Sequence, residues 1–312
     1  MNILITAIGS FSADCVINTL KKNGHKVIGT DIYPREWHAV SNDCYKVYKA
    51  PLATKEKEYI DFLLQVTAKE NINCIIPLTD LEIDIINKNR ERFKKDIILC
   101  MQSANTLKIA RNKLELSKIF QFDENINIPY FTTSKELKEN FKIPAIAKPF
   151  NGRSSEGIIK INTKNDFDLV ADKKKYIIQE FIQGNIFTID YIRDNFGNDF
   201  SIPREELLRT KNGAGITVRI DANTKLINAA SYIGNKINII GCVNMEFIKS
   251  NNNKYYLIDI NPRFSAGIAY SNFIGYDMIT SNINCFMNKP IQEPIKYKNQ
   301  ILCKRYKEEI IS

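Results

Sequence analysis

The first hundred residues alternate short apolar runs with longer amphipathic ones, and this alternation restricts the fold more than any other feature of the chain. Asn2–Ala7, Lys26–Thr30, Cys44–Tyr48, Asn73–Pro77 and Asp96–Cys100 have the length and texture of buried strands. Between them Ala13–Lys22, Lys55–Glu70 and a stretch from Leu81 show helical spacing, through Cys15, Val16, Thr19 and Leu20 in the first. Strands alternating with crossover helices make a parallel sheet covered on both faces, so a doubly wound α/β domain is expected. A nicotinamide-dinucleotide fingerprint would need three glycines in the first turn. The turn here, AIGSFSAD, has Gly9 alone, so that fingerprint is absent although Asp31 closes the second strand.

Beyond residue 102 the texture changes. Residues 103–142 read as polar helix with a turn at Asn125–Pro129. Strand-like runs then recur at Ala145–Lys148, Gly157–Ile161, Tyr176–Glu180, Ile186–Arg193, Ile216–Ile220, Lys225–Ile233, Cys242–Ile248 and Tyr255–Ile260. Short turns containing Asn or Gly join many of them, which favours antiparallel pairing. Helical spacing interrupts at Phe167–Lys174 and returns around Met278–Met287. A chain of 312 residues has room for about two domains.

With 44% hydrophobic and 25% charged residues the chain can build ordinary cores, which excludes a disordered or fibrous protein. Lys and Arg number 44 against 35 Asp and Glu, a formal net charge of +9 that favours anionic partners. The lysines are spread along the chain with no basic tail, so nucleic acid is not the expected partner. Seven cysteines form neither a CxxC pair nor a metal-like cluster. Cys15, Cys74, Cys100 and Cys242 sit in apolar surroundings and read as core residues of a protein kept in a reducing compartment. The opening MNILITAIGS lacks the basic region and long apolar stretch of a signal peptide, and no uncharged segment is apolar enough to cross a bilayer. A cytoplasmic protein without membrane contact is therefore expected. His25 and His38 fall outside every motif and read as surface or packing residues.

Four segments of the second half suit phosphate and divalent metal. In IAKPFNGRSSEGI (146–158) Lys148 ends a strand and a Gly/Ser-rich loop follows. Small residues let backbone N–H groups approach phosphate oxygens, and the lysine adds a point charge. In IIQEFIQGNIFTIDY (177–191) a strand, a turn on Gly184 and a second strand make a hinge that can hold a purine flat, although a plain core hairpin would read the same way. VNMEFI (243–248) and YYLIDINPRFSAG (255–267) would be neighbouring strands presenting Glu246, Asp259 and Asn261 on one face, since Asp259 and Asn261 are two apart. Two carboxylates and an amide oxygen suit Mg²⁺ bridging nucleotide phosphates, and Arg263 stands where it could meet a transferring phosphoryl group.

Taken in order, Lys148, the 150–157 loop, the 179–184 linker, Glu246 and Asp259-x-Asn261-Pro-Arg263 resemble the ATP-grasp superfamily. Within it the texture is similar to the carbamoyl-phosphate-synthase-like stand-alone ligases, which include the pyrrolysine-biosynthesis ligase. RNKLELSKIF (111–120) matches the family's N/D-K pattern opening a helix and adds Lys113. The resemblance spans nearly the whole chain and implies an ATP-grasp fold of α/β and α+β type. Its parts would be a doubly wound pre-ATP-grasp domain over 1–102 and an ATP-grasp domain over 103–312, with a lid subdomain at about 112–183 and a metal-holding catalytic subdomain at about 184–312. It implies that Lys113 and Lys148 contact the ATP phosphates under a loop containing Gly152, Ser154, Ser155 and Gly157, and that Glu180, Phe181 and Ile182 line the adenine pocket. It also implies that Glu246, Asp259 and Asn261 hold one or two Mg²⁺ or Mn²⁺ ions and that Arg263 stabilises the γ-phosphoryl. The implied chemistry is that of an ATP- and Mg²⁺-dependent carboxylate–amine ligase working through an acyl phosphate on small molecules, an amino acid among them. Many relatives dimerise, so a homodimer is the assembly the resemblance allows. Two other activities stay open: a carbamoyl-phosphate-synthase-like kinase of carboxyphosphate or carbamate, and a catalytically silent nucleotide-binding subunit.

The chain departs from the family pattern in two places. Ile186 stands where relatives carry a ribose-binding Glu, which leaves Asp190 as the acid that strand register could bring there. Asp259 replaces the usual Glu with a shorter arm. Segment 203–221 carries Arg204, Arg209, Lys211 and Arg219 around a Gly213-Ala-Gly215 turn. The comparable region of relatives borders the acyl-acceptor site, and Arg219, on a predicted strand, is the basic residue expected to act there.

Overall fold

Strands β1 (Asn2–Ile5), β2 (Lys26–Asp31), β3 (Lys46–Lys49), β4 (Cys74–Ile76) and β5 (Ile98–Leu99) form a parallel sheet in the order β3-β2-β1-β4-β5. The structure is a computed structural model and describes residues 1–137, 140–152, 156–211, 213–306 and 308–311. Helices α1 (Ala13–Lys22), α2 (Glu56–Lys69) and α3 (Asp80–Lys88) cover the sheet, which is why its central strands are apolar on both faces. Ile3 and Ile5 pack with Val16, Ile17 and Leu20 of α1, whereas Leu4, Ile28 and Ile75 pack with α2 and α3. The doubly wound expectation holds, and α1 has the bounds its spacing predicts.

Two short helices follow, α4 (Ala104–Ala110) and α5 (Lys113–Phe120). Then come β6 (Phe131–Thr133), β7 (Ala145–Pro149), β8 (Ile159–Ile161) and β9 (Tyr176–Glu180), an antiparallel sheet ordered β6-β9-β7-β8. The helix expected over Phe167–Lys174 is a 3₁₀ turn, Lys164–Phe167, and one turn of α6 (Asp168–Ala171).

The larger antiparallel sheet contains β10 (Gly184–Arg193), β11 (Asp199–Arg209), β12 (Gly215–Ile220), β13 (Gly241–Ser250), β14 (Tyr255–Asn261) and β15 (Gln300–Cys303) in the order β14-β13-β10-β11-β12-β15. Helices α7 (Thr224–Lys236), α8 (Ile268–Phe273) and α9 (Met278–Phe286) flank it. Residues 225–233 are thus helix and not strand. Leu226, Ala230, Ile233 and Gly234 recur at helical spacing and are buried, and Asn223 Oδ1 caps the start by accepting from the amides of Lys225 and Leu226. Strand β11 was not legible as a strand because Pro203 and the charged run Arg204–Glu206 mask it.

One face of the large sheet packs on α7 and α5 through Phe187, Ile189, Tyr191 and Phe120. On the other, Ile192, Ile202, Val218 and Ile220 share one core with Ile3, Ile5, α1, α8 and α9. The parallel sheet and the large sheet are therefore joined by continuous apolar packing. Among the described residues no helix is long and apolar enough to cross a membrane.

Candidate active site

Lys113 is the first residue of α5, set there because Asn112 caps the helix, its Oδ1 accepting from the amides of Leu114 (3.0 Å) and Glu115 (3.2 Å). The Lys113 backbone N–H donates to Phe150 O (2.9 Å), which ties α5 to the chain after β7. Its ammonium reaches both oxygens of Asp259 (3.0 and 2.9 Å) and the carbonyl of Gly152 (3.3 Å). Lys148, near the end of β7, points into the same place. Burial first and the Lys113 charge second push its ammonium down to about 8, against the pull of Asp259 and Glu246.

The two acids face each other across β13 and β14, Glu246 opposite Asp259 and Asn244 opposite Asn261. A bulge produces this arrangement. Phe247 pairs with Leu257 but Glu246 pairs with Asp259, so Ile258 is the extra residue. Leu257 and Ile260 then both face the α7 core, while Asp259 and Asn261 turn to the opposite face with Glu246. Simple alternation places Asp259 and Asn261 together but cannot align them with Glu246. Burial raises the Glu246 carboxyl, with Asp259 adding to the rise and Arg209 opposing it. Arg209 lies 3.5 Å from Glu246 and also donates to Gly213 O at 2.8 Å.

Arg263 extends from the loop after β14 to Asp80, 3.0 Å away at the start of α3. Burial alone would raise the Asp80 carboxyl, but Arg263, Arg111 and Lys113 together hold it below its ordinary value. Asp80, Arg111, which lies 3.5 Å from Asp80, and Asn244, opposite Asn261, adjoin the candidate site and were missed by the motif reading. A signal for Asp80 was available, since ligands of doubly wound sheets bind beyond the carboxyl ends of the strands and Asp80 follows β4.

Among the described residues no group of three or more His, Cys, Asp or Glu side chains could hold a metal. The donor set of Glu246, Asp259 and the Asn261 amide nevertheless fits a hard divalent cation that keeps water and phosphate ligands. Asn261 donates its Nδ2 to Asn244 Oδ1 (3.1 Å), so its acceptor oxygen is the atom left to offer.

A family model described as an ATP-grasp domain matches residues 110–267, about half of the chain. The chain belongs to the ATP-grasp family. A second model, described as a PylC-like N-terminal domain, matches residues 3–101. The chain is 24% identical over 260 residues to an uncharacterized protein of Methanocaldococcus jannaschii, covering 80% of this chain and 65% of that one. It is 28% identical over 134 residues to a D-alanine–D-alanine ligase of Petrotoga mobilis, covering 37% of this chain and 44% of the relative. The chain thus spans less than two thirds of the length of these curated relatives. In fold it is similar to the biotin carboxylase of Campylobacter jejuni solved with a β,γ-ATP ligand, with a TM-score of 0.78, 16% identity, and coverage of 93% of this chain and 72% of that one.

In this ATP-grasp chain the linker after β9 runs through Glu180, Phe181 and Ile182 to β10. Glu180 and Tyr130 exchange backbone and side-chain bonds, Glu180 N to Tyr130 O (2.9 Å) and Tyr130 N to Glu180 Oε1 (3.0 Å). Phe181 N donates to Pro144 O (3.0 Å) and its ring is exposed. Glycine is required at 184, where a Cβ would lie 2.0 Å from the Lys249 carbonyl oxygen. In the loop, Gly152 N donates to Pro149 O (3.2 Å) and Gly157 takes a positive φ of 70°. Ser154 and Ser155 lie outside the described residues.

Two expected site residues are elsewhere. Asp190 is fully buried and holds Arg204, itself 2% exposed, at 2.6 Å, while accepting from Ser271 at 2.6 Å. It neutralises a buried guanidinium and is not available to a ribose. Arg219 pairs with Glu205 at 2.7 Å and is half exposed. In the register of β11 and β12, Arg219 stands opposite Glu205, on the sheet face away from Arg204 and Glu206. Pleating therefore turns it from the site.

Proposed function

We propose that the protein is an ATP- and Mg²⁺-dependent carboxylate–amine ligase that makes an amide through an acyl phosphate, with an amino acid among its substrates. The observation that carries this reading is the meeting of two lysines, Lys113 and Lys148, with two facing acids, Glu246 and Asp259, from four different elements. Cations for phosphate and carboxylates for a divalent ion, set side by side, are what phosphoryl transfer by positioning and charge neutralisation needs. Glu246, Asp259 and Asn261 would hold Mg²⁺, which when bound offsets charge on the nucleotide phosphates. Lys113 and Lys148 bind those phosphates, and Arg263, held in place by Asp80, faces the charge that grows on the transferred group. A substrate carboxylate oxygen attacks the γ-phosphorus and ADP leaves. The amine nitrogen then attacks the acyl carbon, loses its proton, and phosphate leaves. Support for an amide-forming use comes from the similarity to a D-alanine–D-alanine ligase.

The test is ADP release from MgATP with pooled carboxylic acids, bicarbonate included, and hydroxylamine to trap an acyl phosphate as a hydroxamate. The expected result is ADP with hydroxamate, both lost in Lys148→Ala. Formation of AMP would overturn the mechanism, and ADP with bicarbonate alone would identify a carboxyphosphate kinase instead. Nucleotide binding without turnover across the pool would favour a silent subunit.

A further inference from the structure

Among the described residues the cations around the site are paired, with one exception besides Lys148. Lys113 rests on Asp259, Arg209 on Glu246 and Arg263 on Asp80. Lys304, which follows β15, is half-buried and makes no ion pair among the described residues. Its ammonium donates to Ala266 O at 2.7 Å, three residues beyond Arg263 in the same loop. It lies 5.4 Å from the ring centre of Phe11 and 5.8 Å from that of Tyr270. Phe11 is exposed and belongs to the turn after β1, at the carboxyl edge of the parallel sheet, whereas Tyr270 is buried. Beneath the loop, Arg204 donates to Ser265 Oγ at 3.1 Å, and Gly267 is packed so closely on Arg204 that a Cβ would lie 2.7 Å from its Nη2.

Fixed backbone contacts hold the lysine there. Lys304 N donates to Ile216 O (2.9 Å) as the edge pairing of β12 and β15 ends, and farther on Ile310 O accepts from Asn42 Nδ2 (3.1 Å) of the N-terminal domain. Lys304 is thus tied to the large sheet and Ile310 to the parallel-sheet domain. A lone ammonium between two rings keeps one backbone acceptor and has donors to spare. Removing such a charge from water without a carboxylate in direct contact is costly. Burial first, and the Arg204 charge second, depress it, against the weaker pull of Glu206 and Asp190, two carboxylates already paired with Arg204.

We propose that Lys304 binds a carboxylate of the substrate that is not consumed in the reaction, beside an apolar wall formed by Phe11. This rests on the ligase reading and narrows its substrate class to molecules carrying a spectator carboxylate, such as an amino acid reacting through its amine. The carboxylate can belong to the amine or to the acid being activated, and the test separates the two.

Lys304 in the intact chain is labelled with trinitrobenzenesulfonate in the presence of MgADP, and its modification is read by mass spectrometry as a ratio to that of the exposed Lys298, which cancels reagent consumed by the amines of the probes. The twenty L-amino acids and their amides serve as probes. Protection at least threefold greater with the acids than with the amides is expected, and equal protection or none overturns the proposal whether or not the protein turns over. Turnover with each acid–amide pair is then compared in Lys304→Met and Lys304→Arg. Loss of the acid preference in Lys304→Met through KM, with recovery in Lys304→Arg, supports the assignment, and an unchanged preference overturns it. A Lys304→Met defect that persists with hydroxylamine as the amine assigns the carboxylate to the acid partner, and a defect confined to amino-acid acceptors assigns it to the amine. Protection by the acids without any hydroxamate in the wild type would sink the ligase reading and leave the anion site standing.

Discussion

If Lys148 meets the nucleotide phosphates as proposed, its depressed ammonium should make nucleotide binding pH-dependent in a calculable way. In the free protein its pKa is pushed to about 8, and a bound phosphate anion must raise it. If only the protonated form binds, apparent Kd scales with one plus the ratio of neutral to charged lysine. That factor is about 1.1 at pH 7 and about 11 at pH 9, so affinity falls roughly tenfold between the two. Nucleotide phosphates, whose second ionisation lies near pH 6, do not titrate in this window. Isothermal titration of MgADP in buffers of different ionisation enthalpy should show the loss, with about one proton taken up per nucleotide above pH 8. Lys148→Met should bind weakly at pH 7 and lose the slope. Flat affinity from pH 7 to 9, or the same slope in Lys148→Met, would refute the placement of this ammonium against the phosphates. Stability has the matching sign. The unfolded lysine holds its proton up to about 10.5, so the folded state pays about 3 kcal/mol below pH 8 and is relieved as pH rises toward 10.5.

Asp190→Ala should cost about 3 kcal/mol in chemical denaturation, because it strips a partner from the buried Arg204, while MgADP affinity of the folded protein stays unchanged. Lost affinity with full stability would restore the ribose role. Glu246→Gln and Asp259→Asn should each lower Mg²⁺-dependent ADP release by about 10² or more, measured at saturating MgATP. Arg219→Ala should leave ADP release unaffected, and a loss comparable to Arg263→Ala would show that the face it occupies has been misassigned.

The parallel sheet was legible because its signal is local. Apolar runs such as Asn2–Ile5 have no other use, and α1 buries residues spaced three and four apart. The segments that meet at the candidate site were legible for the same reason, since each lies within one strand and its turn. What escaped depends on partners far away in sequence. Arg204 in a Pro- and Glu-flanked run reads as loop until Asp190, fourteen residues earlier, and Ser265 supply its burial. The residues 225–233 are rich in Ile, Ala and Tyr, compatible with either period, and the Asn223 cap together with packing on β10 and β11 decides for helix. Asp259 meets Glu246 only through a bulge, and a bulge leaves no trace in alternation until the partner strand is known.

The resting ion pairs carry a consequence for how this site fills. Lys113 is held by Asp259 and Arg209 by Glu246, so each acid that would bind a metal also neutralises a cation. Divalent metal arriving alone would release two cations without an anion to meet them. Nucleotide arriving alone would draw Lys113 from Asp259 and leave two facing carboxylates uncompensated in a setting that already raises Glu246. Both costs disappear when metal and phosphate enter together, because the two existing pairs are exchanged for cation–phosphate and metal–carboxylate contacts. Binding of Mg²⁺ and ADP should therefore be cooperative, each tightening the other by the same factor. Asp259→Asn frees Lys113 in advance and should weaken that mutual dependence while improving binding of metal-free ADP. Equal coupling in the wild type and the variant would show that the Lys113–Asp259 pair is not what links the two.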